Sequence, residues 1–136
     1  MSEESKELYD IDCTRINKFS LDGHTCYARV ASVYDGDTIT AIFKLPNGTE
    51  YYKWNCRLYG IDTPELKTGN NKEAAMKARD FLREKILDKV VKLSCGEFDK
   101  YGRLLVHIFC EELDINALMI STGHAKPYFG GTKENT

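Results

Sequence analysis

No stretch of this chain is apolar for long enough to cross a bilayer, which takes about 20 residues. The longest apolar run, Leu104 to Cys110, is interrupted by His107. The first twenty residues, MSEESKELYDIDCTRINKFS, are acidic and hold no apolar segment of the kind a secretory signal needs. The expectation is a protein that stays inside its cell and off membranes. Proline is scarce, with 3 residues, and the chain carries no internal repeat and no low-complexity segment, so linker and fibrous classes drop out. The five cysteines, at positions 13, 26, 56, 95 and 110, form neither a zinc-knuckle spacing nor a C-x-x-C pair, and read as reduced, partly buried small hydrophobes. His24, His107 and His124 lack ligand spacing such as i, i+4 on a helix, which favours surface or packing roles.

Excess positive charge is also lacking. The net charge of −2 looks wrong for a protein that handles a polyanion, but the total hides a split. Residues 1–12 set five acids (Glu3, Glu4, Glu7, Asp10, Asp12) against Lys6, a net of −4, which leaves +2 for the rest. If Asp35, Asp37, Asp62 and Glu65 form one site, the remainder of the domain carries +6. Local distribution, not the total, decides what such a surface attracts.

What is present is enough for one domain with a real core: 136 residues, 42% of them hydrophobic. Residues 1–17 read as a solvated, disordered acidic tail, 18–128 as a single domain and 129–136 as a frayed end. Asp22-Gly23 predicts a hairpin turn between Lys18–Leu21 and a strand over Thr25–Tyr34. Ile39, Ala41, Phe43 and Leu45 alternate with polar residues, as do Trp54, Cys56 and Leu58, and Asn47-Gly48 joins the two strands. Asn70 is placed to cap a helix running to about Leu87, whose Ala74, Ala78, Phe81, Leu82 and Ile86 make one apolar stripe. Strands over Val90–Cys95 and Arg103–Cys110 follow, and Asp114 caps a short helix that ends at Gly123.

The fold class is therefore mainly β with two helices, an α+β chain of about five strands. A small, partly open five-stranded Greek-key barrel of the OB type fits, and an α+β sheet with helices on one face fits nearly as well.

Three turn-associated motifs carry the chemistry. Asp35-Gly36-Asp37-Thr38 joins two strands, with Gly36 free to bring both aspartates to one side, although D-G-D alone is more often a polar turn. Arg57 to Glu65, R-L-Y-G-I-D-T-P-E, ends a strand on a cation, breaks at Gly60, and delivers Asp62 and Glu65 around a Thr63-Pro64 turn. Two carboxylates so spaced can offer several oxygens to one hard cation, while a guanidinium beside them grips an anion. Asp99-Lys100-Tyr101-Gly102-Arg103 puts a second guanidinium at a strand start, where it can reach a phosphate bidentately.

In this order, the three motifs resemble the thermonuclease family, the staphylococcal-nuclease-like domains. The likeness runs from about Cys26 to Tyr128, through Asn116-Ala117-Leu118 and Gly123-His124-Ala125-Lys126. The resemblance implies an OB-fold barrel and a calcium-dependent phosphodiesterase cutting DNA and RNA to leave 3′-phosphates, as a monomer with single strands preferred. It implies that Asp37 and Asp62 bind Ca2+ with the main-chain carbonyl of Thr63, that Asp35 supports them, and that Glu65 holds the attacking water. Arg57 and Arg103 would grip the scissile phosphate, with Lys100, Tyr101 and Tyr128 lining the nucleotide pocket. A catalytically inactive OB module that binds single-stranded nucleic acid or a protein is the alternative. The chain departs from the family pattern in its short loops after Glu65 and before Asp99, and in lacking the C-terminal third helix, which leaves Tyr128 as the stacking residue there.

Overall fold

The computed structural model describes residues 2–66 and 71–129. Five long strands carry the architecture: β1 (Thr25–Asp35), β2 (Thr38–Lys44), β3 (Tyr51–Leu58), β5 (Val90–Phe98) and β6 (Leu104–Cys110). Three two-residue strands, β4 (Ile61–Asp62), β7 (Leu113–Asp114) and β8 (Lys126–Pro127), accompany the helices α1 (Glu3–Asp10), α2 (Lys72–Ile86) and α3 (Ile115–Ser121). β1 lies between β2 and β5, β3 pairs with β2, and β6 pairs with β5, all antiparallel. A parallel pairing of Cys56, Arg57 and Leu58 with Leu104, Leu105 and Val106 joins β3 to β6 and closes the sheet into a barrel. Closure leaves the five long strands with no free edge along that seam. Among the described residues no helix is long and apolar enough to cross a membrane.

The period-two pattern decides what fills the barrel. Val30, Ile39, Ala41, Phe43, Cys56, Leu58, Leu93, Val106 and Ile108 point inward and are buried, while their neighbours face out. β1 is long enough to serve both halves because it bends: register slips between Val30 and Ser32, and again between Val33 and Asp35, are bulges of the kind that turn barrel corners. α2 closes one end with Ala75, Ala78, Leu82 and Ile86. Arg83 straps it to β1 by donating from Nε and Nη2 to the Val33 carbonyl, at 3.1 and 3.0 Å, beside the second bulge.

Several expectations change. Lys18–Leu21 is not a strand, since both edges of β1 are already occupied by β2 and β5; Leu21 instead plugs the core at 2% exposure. The acidic start is helical over Glu3–Asp10, with the Ser2 hydroxyl accepting from the Ser5 amide, yet none of its residues is buried. Its solvation follows from composition, and the Ser2 cap with Glu3 and Glu4 in the first turn favours the helix's start. The buried stripe of α2 uses Ala75 where the spacing points to Ala74. Asn70 lies outside the described residues, as do 130–136; Asn71 occupies the N-cap position of α2 without a side-chain cap bond. All five cysteines are free, with Cys56, Cys95 and Cys110 buried as small hydrophobes. His107 pairs with Asp114 at 2.6 Å and His124 stacks on Phe81, which are packing roles.

Candidate active site

The β1–β2 junction places the first carboxylates. Asp35 Oδ1 accepts from the Asp37 amide at 3.0 Å, folding the turn back on itself, and the Asp37 carbonyl accepts from the Leu58 amide at 2.8 Å. Asp37 thereby points under the end of β3, where it is 6% exposed. A carboxylate so buried needs partners. Its Oδ2 accepts from the Thr63 amide at 3.1 Å and lies 3.4 Å from Arg57 Nη2, and its Oδ1 accepts from the Thr38 hydroxyl at 3.2 Å. Gly36 permits this by size, not by an unusual backbone angle. A Cβ there would stand 2.8 Å from both Ala78 Cβ and Thr63 Cγ2, so α2, the turn and the Thr63 loop press on one atom-sized gap.

Gly60 is different, with φ of +80°, a conformation that suits glycine and that reverses the chain after β3. Ile61 and Asp62 then pair with Pro127 and Lys126, so the Gly123–Lys126 motif returns to brace the Asp62 loop. Arg57 ties the pieces together: Nη2 sits 3.4 Å from both Asp37 and Asp62, while Nη1 donates to the carbonyls of Leu58 and Ile61 at 3.3 and 3.0 Å. Its side chain is 13% exposed, and the Tyr128 ring lies 5.6 Å from its guanidinium. Thr63 is buried and its hydroxyl has no hydrogen-bond partner among the described residues.

The other wall is a turn that orders itself. Asp99 accepts at Oδ1 from the amides of Tyr101 and Arg103, both at 2.9 Å, and at Oδ2 from Arg103 Nε at 2.8 Å. Lys100 and Arg103 both approach the Tyr101 ring, at 5.1 and 5.5 Å from its centroid. The two walls enclose a cleft of about 590 Å³. Every candidate side chain from the three motifs lines it: Asp35, Asp37, Arg57, Asp62, Thr63 and Glu65 from the cradle, and Lys100, Tyr101 and Arg103 from the turn, joined by Tyr128. Tyr34, Tyr59 and Phe129 also line it, and no motif marks them as site residues; Phe129 meets Tyr59 edge-on at 5.9 Å. Asn116, 2% exposed, stands in the sequence only as part of a motif, yet it locks the β3 end to β6 by donating to the carbonyls of Tyr59 and Val106 and accepting from the Ile108 amide.

Burial and the neighbouring Asp37 charge push the Asp35 carboxyl up to about 6. The cradle is thus richer in carboxylate than Arg57 alone can neutralise. Its donors are all hard oxygens, the set a cation such as calcium prefers. Among the described residues no three acidic, His or Cys side chains already surround one point at ligand distance; Arg57 stands between Asp37 and Asp62. The donor chemistry fits a hard divalent cation.

A closed five-stranded barrel with an oxygen-rich, two-arginine cleft where the strands end defines a staphylococcal-nuclease-like OB barrel. The model of the family described as staphylococcal nuclease homologue matches residues 55–136, and the chain belongs to that family. It is 38% identical over 73 residues to a probable staphylococcal-like nuclease of Oryza sativa subsp. japonica, covering 54% of this chain and 19% of that protein. It is 30% identical to an uncharacterized endonuclease of Haemophilus influenzae, over 85% of this chain and 58% of that one. An uncharacterized protein of Methanocaldococcus jannaschii is also 30% identical, over 75% of this chain and 59% of its own. The chain therefore spans less than two thirds of the length of these relatives.

Proposed function

We propose that this domain is a calcium-dependent nuclease that hydrolyses phosphodiester bonds of DNA and RNA, acting as a monomer and preferring single strands. The observation that supports this reading most directly is the convergence of the cradle, Asp35 to Glu65, and the Asp99–Arg103 turn on one cleft.

Hydrolysis builds negative charge on the phosphoryl oxygens and needs a water in line with the leaving oxygen. Arg57 and Arg103, on facing walls, hold the two non-bridging oxygens; both stay protonated at any working pH and act as clamps, not proton donors. Glu65, exposed at the rim of the cleft, holds the water and takes its proton. The water oxygen bonds to phosphorus, the bond to the 5′ oxygen breaks, and that oxygen takes a proton from solvent while Glu65 releases its own to solvent, so the phosphate stays on the 3′ side. Lys100, Tyr101 and Tyr128 receive the nucleotide next to the scissile phosphate. Asp37, Asp62 and the Thr63 carbonyl, supported by Asp35, would hold the calcium ion, which supplies charge neutralisation at the phosphate when bound.

Incubating the purified protein with single-stranded DNA and RNA, with calcium or with chelator, tests the reading. Calcium-dependent fragments ending in 3′-phosphate are expected. Retained binding with no cleavage at any calcium level would leave a nucleic-acid-binding module.

A further inference from the structure

Four aromatic rings besides Tyr34 line the cleft, and each has a partner. Tyr59 and Phe129 meet edge-on, Lys100 and Arg103 approach the Tyr101 ring, and the Tyr128 ring faces the Arg57 guanidinium. The Tyr34 side chain makes no hydrogen bond, ion pair or ring contact with any described residue, and Tyr34 is 56% exposed. The backbone puts it there. Val33 pairs with Ile39 and Asp35 with Thr38, so Tyr34 is the extra residue of the second β1 bulge and has no partner on β2. A bulge beside a site re-aims a side chain. This one is clamped from α2, since Arg83 donates twice to the Val33 carbonyl, at 3.1 and 3.0 Å.

The re-aimed ring belongs to the oxygen-rich wall. It immediately precedes Asp35, and chain length alone keeps its Cα within about 11 Å of the Asp37 Cα. The facing wall carries Tyr101, 71% exposed. Each wall thus has one arginine and one open aromatic, Arg57 with Tyr34 and Arg103 with Tyr101. A phosphate brought to Tyr34 would meet the Asp35 and Asp37 carboxylates, whereas a base would meet a neutral ring with a free face. Every base has a π-face, so such a ring accepts any of them. We propose that Tyr34 stacks on the base of the nucleotide across the scissile phosphate from Lys100, Tyr101 and Tyr128, so that the cleft selects a linkage flanked by a base on both sides. The selection is for the presence of that base, not for its identity. The proposal rests on the nuclease reading for the position of the scissile phosphate, but not for the contact between Tyr34 and a base.

A short oligothymidylate, and the same strand with an abasic residue at each position in turn, test it. With calcium, Tyr34→Ala should lower kcat/KM on the full strand at least about five-fold, the lower end of what one base stack contributes. Tyr34→Phe, which keeps the ring, should recover most of that loss. The wild-type protein should cut a strand that is abasic across the scissile bond as slowly as Tyr34→Ala cuts the full strand, and the variant should lose nothing further on it. The ring faces solvent, so melting temperatures should stay unchanged and confirm that the variants fold. Wild-type kinetics of Tyr34→Ala on the full strand would overturn the assignment, and so would an equal loss on full and abasic strands. If the wild-type protein cuts nothing, fluorescence anisotropy of the same labelled strands in chelator decides. Weakening by Tyr34→Ala that disappears when one base is removed would uphold the stack and remove the nuclease reading, and no weakening would overturn both.

Discussion

Arg57 is held by its own loop and also by Asp37, twenty residues away, whereas Arg103 is held by its own turn. Asp37 from the β1–β2 junction, the carbonyls of Leu58 and Ile61, and Asp62 from the returning loop surround Arg57, and both carboxylate contacts are long at 3.4 Å. Asp99 grips Arg103 within a single turn, at 2.8 Å. One guanidinium thus depends on tertiary assembly for its Asp37 contact, while the other rests on local sequence alone. Loose contacts to two carboxylates also leave Arg57 ready to exchange partners with an incoming phosphate, while the short Asp99 contact fixes Arg103 where it stands.

The comparison predicts where damage spreads. The largest effect is expected at Arg57: replacing it with Lys keeps the charge but removes the planar fork, so Arg57→Lys should lower kcat nearly as far as Arg57→Ala. The decrease should be on the order of 10² to 10³, about 3 to 4 kcal/mol. Near-normal turnover of the Lys variant would sink the bidentate role. Next comes Gly36→Val. With 2.8 Å to Ala78 and Thr63 already at the Cβ position, overpacking should cost about 1 to 3 kcal/mol in chemical denaturation and disturb the cradle without touching the Asp99 turn. Asp99→Ala should do the reverse. It removes three hydrogen bonds within one turn, so amide exchange at Tyr101 and Arg103 should quicken while the β1–β2 junction stays protected, for a destabilisation of about 1 to 2 kcal/mol.

The smallest effect is electrostatic. The Asp35 carboxyl titrates at about 6 in the fold against 3.8 as a free side chain, so the native state holds a proton that the unfolded chain has released. Asp35 therefore penalises the metal-free fold above pH 6, and the penalty fades as pH falls from 6 towards 4. Asp35→Asn should raise metal-free stability at pH 7 by about 1 kcal/mol, allowing for the part of the carboxylate that water still screens. It should also flatten the rise in melting temperature on mild acidification. A wild-type curve that instead falls between pH 7 and pH 5 in parallel with the variant would remove this account.

The same division between local and assembled features explains what the sequence reveals. Strand alternation at Ile39–Phe43 and Trp54–Leu58, the Asn47-Gly48 turn and the three charged motifs depend on near neighbours, and the structure bears out the barrel they indicate. Gly36 reads in the sequence as conformational freedom, but its real constraint is contact with Ala78 and Thr63, both far along the chain. Asn116 and Phe129 reach the β3 end only because α3 and β8 fold back on it, and no local pattern signals that. A single Asn in an apolar helix, between Ile115 and Leu118, is the one available hint of a buried polar lock. Lys18–Leu21 does not form a strand because its would-be partners are committed elsewhere, a competition that lies outside any short window.

The parallel seam between β3 and β6 has a further consequence, in time instead of space. It joins segments on either side of the whole α2 crossover, and closing so long a loop costs more chain entropy than closing a hairpin, which favours its forming after the β1–β2 and β2–β3 ladders. Until β6 has been synthesised and docked, Arg57 and Arg103 have no common cleft. A ribosome-bound chain lacking β6 would also lack β8, which braces the Asp62 loop, so neither wall would be in place and the proposed cutting chemistry would begin only with the finished barrel. Cleavage would in that case report on the closure of the barrel, not merely on the presence of the protein.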